Sequence, residues 1–203
     1  MKYLFNYKNI FLSILLAITF LSMPVAKNIN KPELYSPFIR LITENNFTYC
    51  SATVVSDKIA ITAAHCIPMY QTYVFISNEH KTENFTVLVY SVIDSIDQAI
   101  LIGDFTKFKH FNLKSQMNGI AGSKGPFVTC GYPYNGELLC YKYKPLGIYE
   151  FMIKGESYLY SGMSGGGLID TSNNTLVAVN SAVTKEYVIH SPLVNTFYKH
   201  GIK

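Results

Sequence analysis

Arginine is almost missing from this chain of 203 residues. Of the 17 basic residues only Arg40 is an arginine, and the lysines form no group larger than the pairs Lys107/Lys109 and Lys142/Lys144. Proteins that bind nucleic acids usually present a basic stripe that includes arginine side chains. The net charge of +4 is too small and too dispersed for such a surface, so no nucleic-acid partner is predicted.

Charged residues are also few, at 15% of the chain, whereas 49% of the residues are hydrophobic. Disordered chains show the opposite balance, because they cannot bury enough apolar surface to offset the entropy of folding. A chain of this length can form one large domain or two small ones, each with an adequate core.

Closely spaced cysteine pairs are absent. The four cysteines are Cys50, Cys66, Cys130 and Cys140, at successive separations of 16, 64 and 10 residues. Structural zinc sites usually need CxxC-type pairs, so zinc ligation is disfavoured, and no metal or cofactor is predicted. An even number of cysteines is typical of exported proteins with disulfides. Three connectivities are possible, of which we favour Cys50–Cys66 with Cys130–Cys140.

The longest apolar run, at residues 10–23, is too short for a comfortable membrane span and suits a secretory signal. We predict a signal peptide at 1–26 and a secreted domain at 27–203, in the extracellular space or the periplasm. Pro24 stands where a small residue is expected before the cleavage site, so an uncleaved signal anchor is the alternative. Contact with a membrane is expected only in that case.

Short runs rich in Val, Ile, Thr, Tyr and Phe, separated by turn residues, indicate an all-β protein. They fall into two sets of about six. This predicts two antiparallel β-barrels packed side by side, the first at 33–110 and the second at 125–203, with a crossing at 111–124. A single β-sandwich explains the strands nearly as well. A serine cap, an early proline and a closing glycine at 191–201 predict a short C-terminal helix.

The stretch "GMSGG" at 162–166 places one serine among glycines. A serine hydroxyl becomes an effective nucleophile only with a base nearby and with N–H donors for the developing oxyanion. Glycines allow positive φ angles and a close approach of the substrate. The candidate donors are the N–H groups of Gly162 and Ser164. A glycine-rich turn with a bystander serine would nevertheless look the same.

Two further motifs supply candidate partners for the serine. In "TAAHC" at 62–66, His65 follows a strong strand and precedes a cysteine that a disulfide can hold in place. In "DQAIL" at 97–101, Asp97 heads an apolar strand, where a charge is costly to bury. The alternatives are a structural histidine and a turn-capping aspartate, and Asp94 is a rival for the carboxylate.

Together, and in this order, the three motifs resemble those of the chymotrypsin-like (trypsin-like) serine peptidase family. "TAAHC" matches its histidine motif in full, "DQAIL" resembles its aspartate motif, and "GMSGG" resembles its nucleophile motif except at Met163. The resemblance implies a serine endopeptidase acting on proteins or peptides. Ser164 would attack the peptide carbonyl, His65 would transfer the proton, and Asp97 would orient the imidazole.

Met163 bears on how the oxyanion site forms, if the chain works as the resemblance implies. Family members activated by cleavage carry an aspartate there, which pairs with the new N-terminal amine and forms the oxyanion site. That ion pair cannot form here, so the site must be preformed by packing or induced by a substrate or partner. The chain therefore looks nearer the short bacterial-type branches, which are HtrA-like or glutamyl-endopeptidase-like. A catalytically silent homologue that binds partners and a membrane-tethered peptidase stay open as alternatives.

Four residues are candidates for the substrate pocket. Tyr158 stands where trypsin-type members place an aspartate at the pocket floor, and Asn180 about where the glutamate-specific branch has a histidine. Cleavage after basic residues is therefore disfavoured, and cleavage after glutamate is doubtful. Ser181 is either a hydrogen-bond donor to Asp97 or a plain strand serine, and Val183 is expected to narrow the pocket mouth. We expect a small or apolar residue on the amino side of the cleaved bond.

Overall fold

The structure is a computed structural model that describes residues 34–113, 125–149 and 152–193. The predicted signal peptide, the predicted C-terminal helix and most of the predicted crossing lie outside these residues. Within the described ranges, none of the helices has the length and apolar character needed to cross a membrane.

The first barrel is a closed six-stranded sheet with the strand order β1-β2-β3-β6-β5-β4, and each strand runs antiparallel to its neighbours. β1 is buried along its whole length, whereas β5 alternates between exposed positions and half-buried or buried ones. The strands are β1 (Phe38–Ile42), β2 (Thr48–Ser56), β3 (Ile59–Thr62), β4 (Tyr73–Ser77), β5 (Asn84–Ile93) and β6 (Gln98–Ile102).

The second barrel follows a short strand, β7, which pairs in parallel with β12. Its antiparallel order is β11-β8-β9-β10-β13-β12, and pairing of β11 with β12 closes the sheet. The strands are β7 (Asn112–Leu113), β8 (Phe127–Gly131), β9 (Leu139–Tyr149), β10 (Met152–Glu156), β11 (Gly167–Asp170), β12 (Thr175–Val183) and β13 (Val188–Pro192). The predicted two-barrel fold is confirmed, and the single-sandwich alternative is wrong.

One continuous apolar cluster joins the barrels. It contains Leu41, Val54 and Ile61 from the first barrel and Ile169 and Val179 from the second, all nearly inaccessible to solvent. Burial of this surface supplies the main stabilising free energy of the domain. The same cluster packs the two barrels against each other, so loops from both barrels meet where the barrels adjoin.

The disulfides are Cys50–Cys66, which links β2 to the turn after β3, and Cys130–Cys140, which staples the β8–β9 hairpin. This is the pairing that the sequence analysis favoured. The sulfur atoms of Cys50 and Cys66 lie close to the His65 ring, but they are bonded to each other and cannot serve as thiolate ligands for a metal.

Candidate active site

Strand pairing brings the candidate histidine and aspartate together. β3 and β6 are antiparallel, with Thr62 opposite Ala99, so the end of β3 lies beside the start of β6. A short 3₁₀ turn (Ala64–Cys66) after β3 carries His65, and Asp97 precedes β6. Asp97 has a left-handed backbone (φ +50°), which aspartate tolerates better than most residues.

The His65 ring is held by two contacts to one carboxylate. Its Nδ1 atom lies 3.0 Å from Oδ1 and 2.9 Å from Oδ2 of Asp97, and the His65 backbone N–H donates to Oδ1 at 3.0 Å. An ionised carboxylate can only accept hydrogen bonds, so Nδ1 carries the proton and Nε2 keeps its lone pair. Asp94, the rival in the sequence, lies in the preceding turn, and its carbonyl accepts the Asp97 N–H.

Contact between the two side chains raises the pKa of His65 and lowers the pKa of Asp97. The hydrogen bond that the His65 ring donates to Asp97 raises the pKa of His65 and outweighs the opposite effect of burial. Burial by itself would raise the pKa of Asp97, but hydrogen bonds from the His65 ring, the Ser181 hydroxyl and the His65 amide lower it below its ordinary value. Asp97 is therefore ionised at neutral pH beside a more basic imidazole.

Ser164 lies on a turn that packs closely against the first barrel and is hydrogen-bonded to it. Its carbonyl accepts the Ser51 N–H at 2.7 Å, and Ser51 is adjacent to Cys50, whose disulfide partner is next to His65. Gly165 has φ +81°, and a Cβ there would come within 2.1 Å of both the Ser51 carbonyl oxygen and Thr62 Oγ1. Only glycine permits this close approach, which places Ser164 at the same edge as His65.

The Ser164 hydroxyl is half-buried and makes no hydrogen bond to the parts of the chain that the structure describes. The contact between Ser164 Oγ and His65 Nε2, which proton transfer requires, is therefore not made in this structure. Such contacts are commonly loose without substrate and tighten when substrate binds.

The turn at residues 162–166 carries the candidate nucleophile and is named the nucleophile turn. Its two predicted oxyanion donors make no hydrogen bond to the described residues. The N–H groups of Met163, Gly165 and Gly166 donate to backbone carbonyls, whereas those of Gly162 and Ser164 have no acceptor among the described residues. Gly162 has φ +97°, and a Cβ there would lie 2.7 Å from the Tyr134 nitrogen. The turn thus needs glycine at this position, and the Gly162 and Ser164 N–H groups stay candidate donors for an oxyanion.

The four pocket candidates divide into two pairs. Tyr158 and Val183 are exposed and line an open cleft of about 420 Å³ beside the nucleophile turn. Tyr158 packs on Tyr141, with ring centroids 5.4 Å apart, and does not form a buried floor. Asn180 and Ser181 are buried and lie outside this lining.

The buried pair contacts the site from behind. Asn180 Nδ2 donates to the carbonyls of Cys130 and Met163 at 2.8 and 3.1 Å, and the Ser181 hydroxyl donates to Asp97 Oδ2. Ser181 was predicted to be either a hydrogen-bond donor to Asp97 or a plain strand serine, and in the structure it donates to Asp97.

Ser51, a buried serine of β2, was not predicted to belong to the site, yet its hydroxyl donates to the Gly162 carbonyl at 2.9 Å. The only available signal was its position beside Cys50. That signal was not decisive, because Gly162 is 111 residues away along the chain.

Comparisons with known proteins agree on the fold. No protein-family model matches the sequence, and no curated protein matches it. Among solved structures, the chain is similar to the MamO protease domain of Magnetospirillum magneticum (TM-score 0.60, 16% identity, 85% of this chain and 98% of that one). It is also similar to the serine endoprotease of Yersinia pestis (0.65, 17%, 83% and 64%) and to the Rv3671c protease of M. tuberculosis in its active form (0.57, 20%, 76% and 74%). Likeness at these identities establishes a shared fold.

Proposed function

We propose that this chain, which has the chymotrypsin-like fold, is a serine endopeptidase that uses Ser164, His65 and Asp97. The observation that carries the proposal is the His65–Asp97 pair, in which Nδ1 lies 2.9 Å from the carboxylate. The turn that carries Ser164 is hydrogen-bonded to the same edge of the first barrel, through the Ser51 N–H and the Ser164 carbonyl. The order of the three residues along the chain is that of the family which the motifs resemble.

The residues support acyl transfer in two stages. Ser164 Oγ attacks the substrate carbonyl carbon as its proton passes to His65 Nε2, and the Gly162 and Ser164 N–H groups donate hydrogen bonds to the oxyanion. The imidazolium then protonates the leaving amine and the C–N bond breaks, which leaves an ester on Ser164. Water attacks this ester while His65 takes its proton. The imidazolium then returns a proton to Ser164 Oγ as the acyl C–O bond breaks, which releases the acid and restores the serine. Asp97 stays ionised throughout and stabilises the imidazolium.

The substrate is a protein or peptide with a small or apolar residue on the amino side of the cleaved bond. The cleft lined by Tyr158 and Val183 is the candidate pocket for that residue. Its glutamates, Glu156 and Glu186, are both exposed, and Glu156 is paired with Lys144 at 3.2 Å. No buried carboxylate among the described lining residues is available to bind a substrate arginine or lysine.

The site of action is the extracellular space or the periplasm, after removal of residues 1–26. Two disulfides support this proposal, because such bonds form and persist in oxidising compartments. A peptidase tethered by an uncleaved N-terminal segment is the alternative. N-terminal sequencing of the exported protein separates them, since Lys27 as the first residue excludes the tether.

A catalytically silent binding module is the second candidate. The observation that favours it is that the Ser164 hydroxyl makes no hydrogen bond within the described ranges of the chain. A fluorophosphonate probe and a peptide library decide between the two. We expect the probe to label Ser164 and the library to be cleaved mainly after small or apolar residues. A Ser164→Ala sample should show neither reaction. Failure of the wild-type protein to react with the probe favours the binding module, and dominant cleavage after arginine or lysine refutes the proposed specificity.

A further inference from the structure

The two candidate oxyanion donors belong to two peptide groups whose carbonyl oxygens are both held. The Gly162 N–H shares a peptide with the Ser161 carbonyl, which accepts the Tyr134 N–H at 3.0 Å. The Ser164 N–H shares a peptide with the Met163 carbonyl, which accepts Asn180 Nδ2 and the Gly166 N–H, each at 3.1 Å. In a planar trans peptide the N–H points away from the C=O, so fixing the oxygen fixes the donor's direction.

We propose that the oxyanion site of this protein is preformed, and that Ser51 and Asn180 are its positioning residues. They take the place of the ion pair that Met163 rules out. Met163 is fully buried and its sulfur accepts the Tyr160 N–H at 3.4 Å, so the turn packs without a charge at this position. This inference rests on the proposed function, because it concerns the site where the oxyanion would form.

Asn180 is oriented by a chain of buried hydrogen bonds. Thr129 Oγ1 lies 2.8 Å from Asn180 Oδ1 and 3.1 Å from His190 Nε2. The Asn180 Oδ1 atom can only accept a hydrogen bond, so the Thr129 hydroxyl donates to it. That hydroxyl has no second proton, so it accepts a hydrogen bond from His190 Nε2, while Asn180 Nδ2 donates to two carbonyls. Every hydrogen bond in this series is therefore donated in the same direction, from His190 through Thr129 and Asn180 to the Met163 carbonyl.

Ser51 connects the same turn to the first barrel. Its hydroxyl donates to the Gly162 carbonyl at 2.9 Å and accepts the Tyr132 N–H at 2.8 Å, while its own N–H donates to the Ser164 carbonyl at 2.7 Å. Tyr132 begins the turn that carries the Tyr134 N–H. One serine thus holds the nucleophile turn directly and also holds the segment that fixes the Ser161 carbonyl.

The only arginine of the chain supports this segment from the other side. Arg40 is 3% exposed, donates to the Gly136 carbonyl at 2.7 Å and lies 3.9 Å from the Tyr132 ring centroid. It forms no ion pair among the described residues, and a buried guanidinium without a carboxylate is costly. Its hydrogen bonds to main-chain carbonyls and its stacking on Tyr132 offset that cost and make the 132–136 turn rigid.

The test uses three substitutions of buried hydroxyls in the full exported protein. Ser51→Ala removes the hydroxyl on the Gly162 carbonyl, and Thr129→Val removes the partner of Asn180. Thr53→Val is the matched control, because the Thr53 hydroxyl is buried without a hydrogen-bond partner. The measurements are kcat, KM, the inhibition constant of a peptide aldehyde, whose adduct places an oxyanion in the site, and the unfolding midpoint.

We expect Ser51→Ala to lower kcat about tenfold or more with KM changed less than about twofold, since loss of a whole donor costs 10²–10³ in kcat. Aldehyde binding should weaken in proportion to kcat. Thr129→Val should give a smaller change of the same kind, and Thr53→Val should keep kcat within about twofold. The wild-type chain should react with a fluorophosphonate without a lag and without an added protease or peptide.

Unchanged kcat in Ser51→Ala, an equal fall in Thr53→Val, or a lag that an added peptide abolishes overturns the proposal. Crystal structures of the wild type and of Ser51→Ala test the positioning role of Ser51 without an activity measurement. The Ser161 carbonyl should stay on the Tyr134 N–H in the first and leave it in the second, and an unmoved peptide in the variant overturns the proposal. A wild-type protein without peptidase activity would instead count against the proposed function.

Discussion

The Ser181 hydroxyl donates a hydrogen bond to Asp97 Oδ2, the same oxygen that lies 2.9 Å from the His65 ring, across 84 residues of sequence. Asp97 precedes β6 of the first barrel and Ser181 lies on β12 of the second. The carboxylate is therefore held from both barrels, and its position depends on their packing.

The identity of the carboxylate can be tested with a matched pair of variants. Asp97→Asn should lower kcat by about four orders of magnitude, because the amide stabilises the wrong imidazole tautomer and cannot balance the imidazolium charge. Asp94→Asn, three residues earlier, should keep wild-type kcat because the His65 ring contacts Asp97. Steady-state kinetics of the two variants decide the assignment, and an equal loss in both would contradict it.

Removal of the Ser181 hydroxyl should have a smaller effect on catalysis. Ser181→Ala leaves the His65–Asp97 contact in place but takes away one hydrogen bond that lowers the pKa of Asp97. We expect kcat/KM to fall roughly threefold to tenfold, in line with the loss of about 1 kcal/mol from one hydrogen bond. Ser77→Ala, which removes a bond to the Glu83 carbonyl, is the control and should affect only stability. A similar kinetic loss in both variants would argue against a specific role for Ser181.

The pH dependence of the reaction should reflect the raised pKa of His65. Only the neutral imidazole can accept the Ser164 proton, so the rate should rise as pH increases through the pKa of His65. The midpoint of this rise should lie above the ordinary histidine value of about 6.5. The rate of fluorophosphonate labelling against pH measures it, and an NMR titration of His65 in Ser164→Ala supplies an independent value. A midpoint below 6.5 in both experiments would contradict the expected shift.

His190 should make the fold sensitive to acid. It is fully buried, and burial lowers its pKa to about 3. The unfolded chain binds a proton at this residue below about pH 6.5 while the folded chain does not, so stability falls as pH drops from 6.5 towards 3.

The contribution should approach about 1.4 kcal/mol for each pH unit in that range. Denaturant unfolding between pH 6.5 and 5 should therefore show a flatter dependence in His190→Gln than in the wild type. Equal slopes would show that His190 is protonated in the folded protein.

The sequence by itself determined the all-β class and the residues proposed to react, and the resemblance carried by the three motifs favoured two barrels over a single sandwich. These features depend on local patterns: alternation along a strand reports which face is buried, and the serine, histidine and aspartate stand in short motifs whose order is distinctive. The number of cysteines left three pairings possible, and the structure contains the one that was favoured.

Only the tertiary structure decided what holds those residues. Asn180 was interpreted as a pocket residue, yet it is buried and donates to the Met163 carbonyl, and Tyr158 lies exposed at the cleft rim. Ser51 and Arg40 contact segments 81 and 96 residues away, and no local pattern encodes such a contact. The physical reason is that a hydrogen bond between distant segments depends on how two barrels pack, and packing is a property of the whole apolar interior.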